Sequence, residues 1–217
     1  MRNLDMIRAK SDPTVGLFHP LRSAAAIELV PTNYFEPLDV TTVFPRPAPL
    51  EVDLGCGDGL FLVAMAAKFP DRNFLGIERM LGRVDTACRR AARQAVNNVR
   101  VLLLETSYAV EYLLPPGSIS VAHLLFPDPW PKKKHQRRRV VTKGFLAAIH
   151  RSLTPDGCFH IATDQADYFA AIRGLIVGGA FVEEPAEEEE IFPLTTFEKR
   201  FRAVGAPIYR LVLRKTL

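Results

Sequence analysis

Leu50-Glu51-Val52-Asp53-Leu54-Gly55-Cys56-Gly57-Asp58-Gly59 reads as a β-strand that discharges into a glycine-rich turn, with a helix beginning near Leu60. Glycine lets the backbone turn tightly and lets a ligand approach it closely. The spacing is G-x-G-x-G rather than the dinucleotide fingerprint G-x-G-x-x-G, and no Lys-Ser/Thr pair follows to make a P-loop, so pyrophosphate is not indicated. Two readings stay open at this point: a nucleotide-like ligand on the turn, or simply a tight strand-to-helix connection.

Working outward, the pattern alternates. A helix over Leu60 to Lys68 is followed by a strand over Asn73 to Ile77 and a helix over Gly82 to Val96. Strands then follow over Val99 to Leu104 and Ile119 to Phe126. Such alternation predicts an α/β fold, a mostly parallel sheet with helices on both faces. Val141, Phe145, Ile149 and Leu153 recur at helical spacing, and Thr154-Pro155-Asp156-Gly157 predicts a turn after them. Strands are expected over Cys158 to Ala162 and, closing the sheet, Ile208 to Leu213. Before Leu50, prolines at 13, 20, 31, 37, 45, 47 and 49 forbid long helices, so residues 1–49 are expected as an extended arm and residues 50–217 as one domain. The acids Glu183, Glu184 and Glu187 to Glu190 read as a solvated loop.

The chain has 217 residues, a formal net charge of +4 and a sequence pI near 9.1. Its three cysteines are widely separated, with no C-x-x-C pair and no histidine at ligand spacing; reduced thiols, no metal and a cytoplasmic location are expected. No apolar run approaches the roughly 20 residues needed to cross a bilayer. Charge alone attracts any polyanion and names no partner.

The carboxyl ends of parallel strands are where ligands bind in such sheets. Glu78 ends the second strand, about 20 residues past the glycines, where an acid accepts hydrogen bonds from ribose hydroxyls. The D-x-G-x-G-x-G register from Asp53, with Glu78, resembles the S-adenosylmethionine-dependent methyltransferases of Rossmann-like fold. Asp53, Gly55 and Gly57 are then the cofactor candidates on the first turn. Glu51 falls outside the register and is read as structural. Glu105 and Thr106 follow the third strand, either against the adenine or ribose or as plain surface residues.

Phe126-Pro127-Asp128-Pro129-Trp130-Pro131 follows the next strand and runs straight into Lys132-Lys133-Lys134-His135-Gln136-Arg137-Arg138-Arg139. One carboxylate between two prolines sits at the mouth of a cationic strip. Asp128 is read as a base-binding group or as a cap on the succeeding helix or turn, Trp130 as a stacking platform or a core plug. The cations are read as phosphate contacts or as a solvated face. DNA amino-methyltransferases carry Asn/Asp-Pro-Pro-aromatic at this place, and Trp130 occupies the position of the second proline.

Together with Thr163-Asp164 and Thr195-Thr196-Phe197-Glu198, these motifs resemble the bacterial tRNA (guanine-N7)-methyltransferases over roughly Leu50 to Arg210. The resemblance implies a Rossmann-like sheet of about seven strands, S-adenosylmethionine as cofactor and tRNA as partner. It also implies methylation of guanine 46 in the variable loop; the sequence leaves monomer and homodimer both open. Carried over by motif, Asp53, Glu78, Glu105 and Asp128 contact cofactor, and Asp128 is also catalytic. Lys132, Asp164, Thr195, Thr196, Phe197 and Glu198 contact substrate. The chain departs from the family's usual Glu at Asp53, Asp or Asn at Glu105, and Lys at Thr196. The rival expectations are a methyltransferase of the same fold acting on a protein or small molecule, and a non-catalytic RNA-binding module.

Overall fold

Side chains of the central strands alternate between two separate cores, so both faces of the sheet need covering. A computed structural model describes residues 24–176, 179–185 and 192–216. Its strands are β1 (Glu28–Leu29), β2 (Leu50–Leu54), β3 (Asn73–Glu78), β4 (Val99–Leu103), β5 (Ile119–Leu125), β6 (Leu153–Thr163), β7 (Phe181–Glu184) and β8 (Tyr209–Lys215). They form one sheet in the order β1-β4-β3-β2-β5-β6-β8-β7, parallel from β1 to β6, with β8 antiparallel to both of its neighbours. The helices are α1 (Val40–Val43), α2 (Leu60–Lys68), α3 (Leu81–Arg93), α4 (Thr106–Tyr108, running on into a wider turn over Ala109–Leu113), α5 (Lys143–Ser152), α6 (Ala166–Ile176) and α7 (Thr196–Ala203).

On one face, Phe74, Val99 and Val101 pack with α2 and α3; on the other, Leu75, Ile77 and Leu124 pack with α5 and α6. β2 lies at the centre of the order with β3 on one side and β5 on the other, so the strand order reverses there. A crevice opens at the carboxyl ends of strands at such a reversal point.

Among the described residues the sheet has eight strands, close to the about seven that the resemblance implies; the two not read from the sequence are β1, too short to leave a periodic trace, and β7. The segment read as an extended arm carries β1 and α1 and places Ile27, Leu38 and Phe44 in the cores. Its prolines forbid long helices without preventing short anchored pieces. Residues 1–23 lie outside the described residues.

Two further expectations meet corrections. The Thr154–Gly157 turn is absorbed into β6: Leu153 pairs with Ile119 and Cys158 with Val121, so the intervening residues bulge out of the ladder. Glu183 and Glu184, read as loop, lie in β7, where they pair with Leu213 and Val212 of β8; Arg173 stands 3.0 Å from Glu183, and Arg214 pairs with Glu184. Glu187 to Glu190 lie outside the described residues.

Candidate active site

Gly55, Gly57 and Gly59 have φ of 83°, 56° and 73°, all in the left-handed region that side chains disfavour. Gly59 has a second constraint. A Cβ there would lie 2.7 Å from Ala87 Cβ, so its absence lets α3 close onto the turn. The turn is clamped from two sides. Gly55 and Cys56 donate their amides to the Ile77 carbonyl, and Gly57 donates its amide to Glu78 Oε2 at 3.1 Å. Glu78 Oε1 accepts from the Met80 amide at 2.9 Å, which fixes the carboxylate between the turn and α3.

Asp53 is 4% exposed, and no group among the described residues donates a hydrogen bond to its carboxylate. Burial, reinforced by the Glu78 charge, pushes its pKa up to about 7. Glu51, one pleat earlier, has a different environment. It accepts from Arg72 at 2.5 Å and lies 3.0 Å from His123 Nε2. Burial opposes its charge, but these partners prevail and hold its pKa below the usual value.

Two adjoining chambers lie along the strand ends. The larger, about 530 Å³, is walled by Glu78, Met80, Glu105, Thr106, Asp128 and Trp130. The smaller, about 250 Å³, is walled by Asp53, Gly57, Asp58, Thr195, Thr196 and Arg200. Gly55, Arg83, Leu125 and Phe197 belong to both, so the chambers are continuous around Phe197. The cofactor candidates and Asp128 therefore share one cleft. Glu105 has a local duty as well: it caps α4 by accepting from the Tyr108 amide at 2.9 Å.

The Asp128 loop is built differently. Phe126 and Trp130, either side of it, have φ of 55° and 41°. Such strain persists only where the surroundings enforce it. Arg139 supplies part of that enforcement. Although expected among the phosphate contacts, it is buried, donates to the Pro129 carbonyl at 2.8 Å, pairs with Asp167 at 2.6 Å and lies over the Tyr168 ring. Asp128 itself is 68% exposed and sits 3.4 Å from Arg79. Trp130 lies edge-on to His135 with the Arg138 guanidinium 5.0 Å over its ring, so it faces the cleft rather than plugging the core. Lys132, Lys133, Lys134, Arg137 and Arg138 surround a short helical turn at the surface.

The α7 segment closes the smaller chamber. Thr195 caps α7 by accepting from the Glu198 amide at 3.0 Å, and the Thr196 hydroxyl reaches Asp58 at 3.4 Å. Asp58 also pairs with Arg90 at 2.9 Å, tying α7 and α3 to the glycine turn. Phe197 projects into the cleft. Glu198 is instead buried and accepts from Arg202 and Arg210. Lys132 and Asp164 stand outside both chambers, Asp164 accepting from Gln165 at 2.5 Å. Sequence reasoning missed Arg79, Met80 and Arg83, because long side chains just past a strand are ordinarily solvated. The one available signal was their position immediately after Glu78.

This geometry defines a class: a methyltransferase of Rossmann-like fold. A solved 16S rRNA methyltransferase superposes with a TM-score of 0.58, covering 78% of this chain and 88% of its own, and at 14% identity shares the fold alone. A family model described as "Putative methyltransferase" matches residues 47–211. The tRNA (guanine-N(7)-)-methyltransferase of Sodalis glossinidius is 36% identical over 192 residues, covering 84% of this chain and 79% of its own length. That of Geobacter metallireducens is 36% identical over 194 residues, covering 87% and 92%. The chain belongs to the tRNA (guanine-N(7)-)-methyltransferase family.

Proposed function

We propose that this protein transfers a methyl group from S-adenosylmethionine to N7 of a guanine in tRNA, at position 46 of the variable loop. The observation that carries the reading is the single cleft in which Asp53, the glycine turn, Glu78 and Asp128 meet, bordered by the surface cations from Lys132 to Arg138.

The residues fit the cofactor. A buried carboxylate lacking a donor among the described residues, as at Asp53, is stabilised by a ligand ammonium group. Glu78, fixed by two backbone amides, keeps lone pairs for ribose hydroxyls, and Glu105, Thr106 and Met80 wall the space for the base. Bound S-adenosylmethionine supplies an electrophilic methyl group on a sulfonium centre.

Guanine N7 carries an in-plane lone pair and no proton, so its attack on a methyl group needs no general base. The chain's contribution is positioning and charge. Asp128 accepts from the guanine N1 and N2 groups and offsets the positive charge that methylation leaves on the purine. The strained loop and Arg139 hold that carboxylate in place. Trp130, ringed by His135 and Arg138, offers the base a stacking surface. Lys132, Lys133, Lys134, Arg137 and Arg138 contact phosphates, where they contribute salt-sensitive affinity and little base selection. Asp164 at the rim, with Thr195, Thr196 and Phe197, meets the flanking nucleotides, while Glu198 anchors α7.

The test is incubation of the pure protein with labelled S-adenosylmethionine and unmodified tRNA, followed by nucleoside mapping. 7-Methylguanosine at position 46 is expected. Label on another atom, or none on tRNA, overturns the reading.

A further inference from the structure

Arg79 is the first residue past β3, and its guanidinium approaches Asp128 Oδ2 across the cleft at 3.4 Å. Its side chain is 63% exposed and that of Asp128 is 68% exposed. An ion pair so exposed adds almost nothing to stability. This one nevertheless joins the ends of two strands across the wall of the larger chamber, and the loop on the Asp128 side is strained at Phe126 and Trp130. Stability does not account for the arrangement, and the chemistry of the two groups does.

Side by side, a carboxylate and a guanidinium present two acceptors and then a donor. The Watson–Crick edge of guanine presents the complement in the same order: the N2 donor, the N1 donor and the O6 acceptor. Adenine reverses both signs at the positions that matter, with an acceptor at N1 and a donor at C6. We propose that Arg79 is a specificity-determining residue that donates to O6 of the target guanine while Asp128 accepts from N1 and N2. The inference rests on the guanine-N7 reading above and assigns the O6 side of the base, which that reading leaves open. The arrangement leaves N7 free, because the donor goes to O6 from the edge away from the five-membered ring. A guanidinium on O6 also places no proton on the nucleophile.

The test uses full-length tRNA transcripts carrying guanosine, 6-thioguanosine or inosine at the target position, with wild-type protein and Arg79→Met. Sulfur at C6 is a weak acceptor but leaves N1 and N2 intact; inosine keeps O6 and N1 and lacks the N2 amino group. Wild-type protein should prefer guanosine over 6-thioguanosine by about 10-fold or more in kcat/KM, the range for losing a hydrogen bond to a charged group. In Arg79→Met that ratio should fall close to one, while the guanosine-to-inosine ratio, which reports the Asp128 side, stays as in wild type. S-adenosylmethionine affinity by calorimetry should be unchanged and also verifies folding.

If Arg79→Met lowers all three substrates equally, the residue only restrains Asp128 and the proposal is overturned. A wild-type protein indifferent to the sulfur substitution, or a variant with impaired cofactor binding, overturns it as well. Absence of methyl transfer to guanosine in the wild-type protein strikes the underlying reading instead, and the two failures are thereby told apart.

Discussion

The glycine turn and the Asp128 loop border the same cleft and are made on opposite plans. The turn is clamped by the Ile77 carbonyl, Glu78 and Asp58, and packed so closely that Gly59 leaves no room for a methyl group. The loop is strained at both ends and held from behind by Arg139, while its acid faces solvent beside Arg79. A small ligand that must be gripped repays a site inside the core. A large polyanion must dock from outside, so its recognition groups have to stand proud of the fold. Substitutions in the turn should therefore cost stability or cofactor affinity, and those in the loop should cost turnover or tRNA affinity.

The sharpest way to break that contrast is Asp128→Ala. Turnover should fall by about 100-fold or more, the usual loss when a charge-stabilising group is removed, while cofactor affinity by calorimetry should move little. A variant with near-normal turnover would take Asp128 out of the chemistry.

Gly59→Ala probes the opposite side. Its methyl group must displace Ala87 in a left-handed backbone conformation, and the expected loss is about 2 kcal/mol in denaturant unfolding. Unchanged stability would mean that α3 can slide.

Asp53 sharpens the contrast through pH. Its folded-state pKa, raised to about 7, lies above the ordinary carboxylate value near 3.9. Between those two values the folded chain keeps a proton that the unfolded chain has lost, so this group makes stability fall as pH rises from about 4 to 7. Asp53→Asn should flatten that part of the stability profile. It should also weaken cofactor binding and abolish the proton release that accompanies binding near pH ~6, just below the raised pKa, read by calorimetry in buffers of different ionisation heat.

The smallest effect separates cations within the strip. Arg137→Ala with Arg138→Ala should reduce the salt dependence of tRNA binding by about one unit of slope for each phosphate left unneutralised. Arg139→Ala should leave that slope alone and lower melting temperature instead. A double-variant slope equal to that of the wild-type protein would mean that neither Arg137 nor Arg138 meets phosphate.

The parallel strands from β2 to β5 are legible because each is a largely apolar run with a glycine or an acid at its end or within three residues after it: Gly55, Glu78, Glu105 and Asp128. Glu78 and Asp128 are located by that same logic, and Asp53 by its register with the glycines that follow it. The less visible parts share a cause. β1 spans two residues, and β7 ends in two glutamates whose partners, Arg173 and Arg214, are distant in sequence. Arg139 is indistinguishable from its neighbours as text; the Pro129 carbonyl, Asp167 and the Tyr168 ring, brought beside it by folding, make it an internal brace. Glu198 likewise reads as a surface acid until Arg202 and Arg210 are seen converging on it. Local pattern reveals what the backbone does, whereas the fate of a charged side chain depends on what folding brings beside it.

The two margins of the sheet carry a consequence of their own. Unpaired amides along a sheet margin are a template onto which another chain adds. Here one margin is the two-residue β1 and the other the four-residue β7, with Glu183 and Glu184 in its ladder. Among the described residues β1 pairs with Val101 and Leu102 of β4 alone, and β7 with residues 212–215 of β8, so each rim covers part of the longer strand behind it. Margins this short and partly charged offer another chain little ladder to add onto, while the cationic strip from Lys132 to Arg138 stands exposed at the surface.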